Sequence, residues 1–443
     1  MSAVIAMRRP AVAGSLHALW ADHPRLPRSP WACVNALRSQ GHDDLGSLKM
    51  PTSRDEAWRF TDLTPLGKLS LQAARRAGPL SAADMAAFQL DDAATRLGFV
   101  DGLYSPEHSS PAVDAGGRLV ANLPAALAAQ AAQAAAVEAH LGRHQPLGND
   151  VFAAFNTAFL QDAAVILVPR NATLAAPVHL LFISTQANVV SHPRCLLIAE
   201  SGSSLTLIED HVSLQGAAYL RNSVTEIVLA EQATLQHIRV QRDGTQAFHF
   251  ANTTVSLGRA SHYRSVGVDM GAQLSRHHLD VVLGEGADCT VDGLAVVSGS
   301  QLADTHSCIV HAQPHGRSRQ LHKCIANDTS RAVFNGKVKV SVGAQHTDAA
   351  QMSRNLLLGT RARIDTQPQL EILADDVKCA HGATVAPLDT EEVFYLQSRG
   401  LSGSAARDLL TYAFGAEIIS RIPVASLRRQ LQQHMLSQTG SRL

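Results

Sequence analysis

The sequence predicts a mainly β protein, a parallel β-helix (solenoid) flanked by N-terminal and C-terminal helical regions, and three observations carry that prediction. From Ala164 onward, short β-branched runs such as Val165 to Val168, Leu180 to Ile183, Leu205 to Ile208 and Val338 to Val342 follow one another for more than two hundred residues without a helix-period interruption. Turn landmarks recur through them: Gly202, Glu231 in a glycine's place, Gly258, Gly284, Gly316 and Gly343 are spaced 29, 27, 26, 32 and 27 residues apart. The turn text repeats too, as Leu229-Ala230-Glu231-Gln232-Ala233, Leu257-Gly258-Arg259-Ala260, Leu283-Gly284-Glu285-Gly286-Ala287 and Leu358-Gly359-Thr360-Arg361-Ala362. Coils that stack and bury a continuous core produce such a repeat. A β-sandwich explains the alternation of Val338, Val340 and Val342 with Lys337, Lys339 and Ser341, but not the near-constant turn period.

In chain order, residues 1–163 read as an N-terminal helical region, 164–389 as the β-helix core and 390–443 as a C-terminal helical domain. Pro24, Pro27, Pro30 and Pro51 punctuate the first part, where Ala82 to Leu97 and Leu123 to Leu141 have the Ala, Leu, Gln and Glu content of helices. Asn149-Asp150 precede another helix, Val151 to Leu160, whose Phe152, Phe155 and Phe159 share a face and read as packing. After Thr390, Glu391 to Ser398 opens on acidic residues and closes at Arg399-Gly400. Ser402-Gly403-Ser404 can cap a second helix, Ala405 to Ala416, and Pro423 allows a third, Val424 to Leu436. Leu409, Leu410, Phe414, Ile418 and Ile419 recur there at helical spacing, as a stripe that fills a partner's groove would.

Composition narrows the function classes. The 443 residues exceed one typical core, and 38 Lys and Arg balance 38 Asp and Glu, which argues against a nucleic-acid-coating surface. No unbroken apolar stretch approaches the ~18 residues of a membrane span. Arg8 and Arg9 lack an apolar segment behind them, so the expected compartment is the cytoplasm. One acidic residue, Asp22, in the first 42 keeps a plastid transit segment, and hence the stroma, open. Six scattered cysteines without a C-x-x-C pair suit reduced thiols. No G-x-x-x-x-G-K-[ST], G-x-S-x-G or strand-to-helix G-x-G-x-x-G occurs, so no nucleotide is expected to bind this chain.

Two His/Cys groups remain. Thr305-His306-Ser307-Cys308, His311, His315, His322 and Cys324 match no zinc spacing and read as solenoid residues. In Leu370 to Thr384, Cys379 and His381 flank Ala380, so an extended backbone points both to one side, where they can touch one borderline metal ion. Two ligands make no site. Others would come from a neighbouring coil, from Glu371 or Asp375, or from a second chain. Spacing leaves a merely buried cysteine as an equal reading.

The run Leu370-Glu371-Ile372, Asp375-Asp376-Val377-Lys378-Cys379, His381-Gly382-Ala383-Thr384, Phe394-Tyr395-Leu396 and Ser398-Arg399-Gly400 resembles the C-terminal signature of the SufB/SufD family of iron–sulfur cluster assembly proteins. The resemblance extends through Val333-Phe334-Asn335-Gly336-Lys337, Gln345, Thr347, Gln351, Asn355 to Leu358 and Pro368, and to Glu56-Ala57-Trp58-Arg59-Phe60-Thr61. It spans roughly Glu56 to Ile419, with Asp162-Ala163 where the family often has Asp-Gly. The Cys-x-His-Gly and Glu-x-Trp-Arg-x-Thr text resembles the SufD side of the family. The resemblance implies a right-handed parallel β-helix and a scaffold subunit, not an enzyme. It also implies a heterodimer with SufB docked to two copies of the SufC ATPase; open strand edges put the SufB contact on the C-terminal coils, roughly Val333 to Leu388, and the apolar stripe puts SufC on the C-terminal helices. His381 then matches the histidine at the SufB interface that holds a nascent, transient cluster, with Cys379 beside it and a cysteine and a glutamate of SufB as further ligands. A homodimer of the isolated chain stays open. The competing readings are a secreted β-helix polysaccharide lyase, whose carboxylates beside a basic residue Asp375-Asp376 with Lys378 imitate, and an adaptor that contacts no metal.

Overall fold

The computed structural model describes residues 26–113, 117–144 and 150–438. The leader reading built on Arg8, Arg9 and Asp22 falls outside them, as does Asn149.

Two sheets, 12-stranded and 10-stranded among the described residues, wind together as a solenoid. From Arg194–Ala199 to the end of the solenoid, each strand pairs in parallel with the strand two places ahead, so every coil there contributes one strand to each sheet. Thr234–Arg242, for instance, pairs with Ser204–Ser213 on one side and His262–Asp269 on the other. The register step is one coil: Thr234 pairs with His262, His262 with Asp288, Asp288 with Arg317 and Arg317 with Asp348.

Alternation sorts side chains in and out. Ile227, Val255, Val281, Ile309 and Val338 stack on the inner face of the first sheet and meet Leu205, Leu235, Tyr263 and Cys289 from the second. Val338 and Val340 face inward as expected. Val342 does not: the strand ends at Val340 and Val342 lies in the turn, 68% exposed.

The sequence landmarks mark the turns only approximately. The left-handed residue that bends each corner of one coil edge is Gly202, Gln232, Ala260, Gly286, His315 and His346, in successive coils. Gly258 and Gly284 serve a different need. A Cβ on Gly258 would meet the Leu229 carbonyl at 3.0 Å, and one on Gly284 the Leu257 carbonyl at 2.7 Å, so these glycines let adjacent turns stack in contact.

Helices cover the outer faces. Ala32–Ser47 and Val151–Ala158 pack on the first sheet, where Phe152, Phe155 and Phe159 join Leu220, Phe248, Phe250 and Leu274. Asp150 caps the second of them by accepting a hydrogen bond from the Ala153 amide at 2.8 Å. Gly403–Ile419 and Ala425–Gln438 cover the second sheet, burying Ile418, Ile419, Ile422, Leu427, Leu431 and Met435 against Ile208, Ile238, Val266, Leu294 and Ile325.

The helix expected over 82–97 stops at Ala86, and Thr95–Val100 is instead a strand paired with Val178–Ser184. Leu97 and Phe99 are buried between the sheets, so tertiary pairing overrides a helix-like composition. Over 123–141 the structure has two helices, Leu123–Leu127 and Ala131–His140.

Candidate functional site

Cys379 and His381 lie on Lys378–Ala386, the last strand of the second sheet, which pairs with Asp348–Leu357 and has its other edge unpaired among the described residues. Arg363–Ile372 ends the first sheet in the same way. The solenoid thus stops at an open mouth.

Register places Cys379 beyond Ala349 and His381 beyond Gln351. Cys379 is half-buried against the core between the sheets, and that burial pushes its thiol up. His381 is exposed and continues an inner file in which Gln351 Nε2 donates to Gln320 Oε1 at 2.7 Å. Gly382 follows it, and a Cβ there would stand 3.0 Å from the Cε tip of the exposed Met352 side chain.

The weaker candidates sit apart from this pair. Glu371 is bound to Lys337 at 2.7 Å and Lys339 at 3.4 Å, three residues that alternate to the outer face of the first sheet. The lysines hold its carboxyl below the usual range. Asp375 is exposed in the corner between the last two strands. Among the described residues, no three His, Cys, Asp or Glu side chains gather as a metal site.

The other histidine group disperses. His311 points inward to Ser318 Oγ at 2.8 Å, His322 stacks on Phe334 at 4.4 Å, and His306 pairs with Asp304 at 2.9 Å.

Sequence reasoning missed a charged lumen. Arg221 and Asp243 pair at 2.8 Å, His249 Nδ1 lies 2.7 Å from Asp243, and Arg239 bonds both His249 and Asp269. Glu209 meets His237 at 2.9 Å, and His237 meets the Tyr263 hydroxyl. Alternating polar residues look solvent-facing in sequence; here they occupy one half of the interior.

The Glu56 to Thr61 motif is a clip on the outer face of the first sheet. Trp58 stacks on Phe152 at 5.6 Å, with the Arg276 guanidinium 3.9 Å above its ring. Arg276, His306 and Thr61 all hold Asp304, and although burial alone would raise that carboxyl, they keep it down at about 2.

The C-terminal stripe divides. Ile418 and Ile419 are fully buried against the solenoid, and the Phe414 ring receives Lys323 Nζ at 3.8 Å, so this part of the stripe already has an intramolecular partner. Leu409 and Leu410 are half-buried. The aromatic surface that is free lies one helix earlier: no residue of Thr390–Ser398 is buried, and Phe394 and Tyr395 are 72% and 57% exposed. The motif text contained both residues, but only their exposure sets them apart.

No helix among the described residues is long and apolar enough to cross a membrane. The family model for the SUF system FeS cluster assembly SufBD core domain matches residues 182–414, and that for the SufBD protein N-terminal region matches residues 16–180. An iron-sulfur cluster assembly SufBD family protein of Synechocystis sp. is 41% identical over 414 residues, 89% of each chain. The iron-sulfur cluster assembly protein SufD of Escherichia coli is 33% identical over 400 residues, again 89% of each chain. The chloroplastic protein ABCI7 of Arabidopsis thaliana is 31% identical over 419 residues, 91% of this chain and 85% of its own. The polysaccharide-lyase reading gains no support from these matches. With the core-domain match covering over half of the chain and these relatives aligned along most of it, the chain belongs to the SufB/SufD family, as a SufD-like, scaffold-type subunit of iron–sulfur cluster assembly.

Proposed function

We propose that the open mouth is where this subunit helps to assemble a nascent iron–sulfur cluster, which is cargo shared with a SufB-type paralogue. The observation that carries this reading is the position of Cys379 and His381, two residues apart on a strand whose outer edge is unpaired among the described residues. A neutral imidazole at His381 offers a nitrogen lone pair to iron, and Cys379 supplies a thiolate or braces the strand. Two donors are too few for a stable centre, so a second chain must complete the shell, and metal binding is tied to heterodimer formation. An edge strand with free amides and carbonyls accepts a partner's strand directly, through the coils from Val333 to Leu388. The same edge supports a homodimer when the chain is alone.

ATP hydrolysis belongs to a SufC-type ATPase in this reading, since this chain has no phosphate-binding loop. Its docking surface comprises Phe394 and Tyr395 with Leu409 and Leu410, not the buried Ile418 and Ile419. The division into 1–163, 164–389 and 390–443 separates the clip, the scaffold and this docking region. The work takes place in the cytoplasm, or in the plastid stroma for a chain with a transit segment.

Coexpression with SufB and SufC tests the site. His381→Ala should leave folding and both partners bound but lower the iron and acid-labile sulfide recovered by roughly tenfold or more. Cys379→Ala should cost as much if it ligates and less if it braces. Full cluster content in the His381→Ala complex would replace this reading with that of a metal-free adaptor.

A further inference from the structure

A groove of about 400 Å³ lies between the outer face of the second sheet and the helix Gly403–Ile419, and it reaches the last strand at Ala380 and His381. Its floor is open for a simple reason. Thr290, Arg319, Ala350 and Ala380 form one register file across four successive strands, and the two alanines leave unfilled the space that larger residues would occupy.

The charges around this groove pair off until one is left over. Arg319 Nη2 donates to Asp348 at 2.5 Å. Arg421 donates to Asp292 at 2.6 Å and to Glu417 at 3.3 Å. Lys323, just behind the wall, donates to Glu417 at 2.6 Å and to the Phe414 carbonyl at 2.7 Å. Arg354 lines the same groove, is exposed, and has no hydrogen bond or ion pair among the described residues. Of the three guanidiniums that line the groove, Arg319 and Arg421 are held in ion pairs, while Arg354 acts on Glu417 only through its field and stands on the groove wall with no hydrogen-bonded partner among the described residues. Its planar fork suits carboxylate and phosphate oxygens. The volume lies within the range of small-molecule clefts.

We propose that this groove binds a small multivalent oxyanion, carboxylate- or phosphate-bearing, with Arg354 as its anchor and Arg319 as the second contact. The ligand would sit between the solenoid wall and the C-terminal helix, touching both, so that its occupancy ties the helical cap to the last coils. The site goes beyond cluster assembly at His381 and needs neither a partner chain nor iron.

Isothermal titration calorimetry of the full chain, with citrate and separately with inorganic phosphate at about 0.15 M ionic strength, tests this without exaggerating surface charge. Saturable one-to-one binding of either anion is expected, and which one binds identifies the headgroup. Arg354→Gln should weaken it at least tenfold and Arg319→Gln several-fold. Arg259→Gln, which removes a pair with Glu231 elsewhere on the solenoid, should leave it unchanged. Arg354→Lys keeps the charge but loses the fork, and should weaken binding several-fold; it serves if the glutamine variant does not fold. Absence of saturable binding by both anions, or affinity unaffected at Arg354, overturns the proposal. The iron and acid-labile sulfide recovered with the coexpressed complex should be unchanged by Arg354→Gln, so failure here and failure of the cluster reading are separable.

Discussion

At its first coils the solenoid is sealed. Thr95–Val100 pairs antiparallel with Leu103–Tyr104, and Ala164–Val168 is capped antiparallel by Leu119–Asn122, which in turn pairs with Ala112–Val113. Val165, Ile166 and Phe99 are 0–1% exposed there. At the last coil no strand turns back: Val385 is 45% exposed, Leu373 57%, and the edges of both sheets face outward among the described residues. Proteins commonly blunt such edges, because an open one pairs with whatever strand it meets. One end is closed by two antiparallel caps and the other is bare among the described residues, and the bare end, the one the proposed assembly would use, bears Cys379 and His381.

This contrast can be broken by substitutions at the two ends. The largest loss should come near the sealed end, where Arg194 reaches Glu226 Oε2 at 2.7 Å and both side chains are 0% exposed. Arg194→Leu would strand the buried carboxylate and cost about 3–5 kcal/mol, read by urea denaturation. A loss under ~1 kcal/mol would mean that Glu226 finds another partner.

Leu279→Ala, in the coil centre at 4% exposure, should cost about 2–5 kcal/mol by leaving a cavity between the sheets. A cost near that of a surface substitution would contradict a packed interior.

Acidity should act on the closed coils as well. Burial pushes His249 and His322 down to about 4, so both are neutral in the folded chain while an unfolded histidine takes a proton near ~6.5. The unfolded state binds more protons in that window, so stability is full above it and falls as pH drops from about 6.5 to about 4. Asp304, held at about 2, adds a loss only below about pH 4. A thermal midpoint constant between pH 7 and 4.5 would refute the histidine part, and His322→Phe should make the slope shallower.

The smallest effect on stability belongs to the open end. Val385→Lys should change folding free energy by no more than about 0.5 kcal/mol, yet weaken association with SufB in pull-down, because a charge on an edge strand opposes strand addition. A strongly destabilised variant would show that the edge matters to the fold rather than to assembly.

The repeat was legible because each coil rewrites nearly the same text: Leu229, Leu257 and Leu283 stack in one file and their turns follow at once. The left-handed corners were not legible, since Gln232, Ala260, His315 and His346 carry no glycine-like signal. The lumen was hidden for another reason. His237, Arg239 and Gln241 alternate as a solvent-facing strand would, and only the neighbouring coils, which supply Glu209, Tyr263 and Asp269, make them interior residues. At the mouth, alternation correctly put Cys379 and His381 on one side. It said nothing of depth, and depth separates a half-buried thiol from an exposed imidazole. Helical spacing likewise identified Ile418 and Ile419 as a face without revealing that this chain covers it.

The last two helices, Gly403–Ile419 and Ala425–Gln438, also act as a length gauge. They are pinned at Arg242, which donates to Gln430 at 3.3 Å, and at Lys323, which donates to Glu417. Those pins lie on strands three steps apart in one sheet, about 14 Å at ~4.8 Å per step. A solenoid alone tolerates the gain or loss of a whole repeat, since every coil meets its neighbours in the same way. This one does not: a coil inserted between the pins would move Lys323 one step away from Glu417 while Arg242 held Gln430 in place. The rigid rods therefore lock the number of repeats between the pins, and with it the distance from Arg242 to the mouth, in a fold whose own grammar would let that number drift.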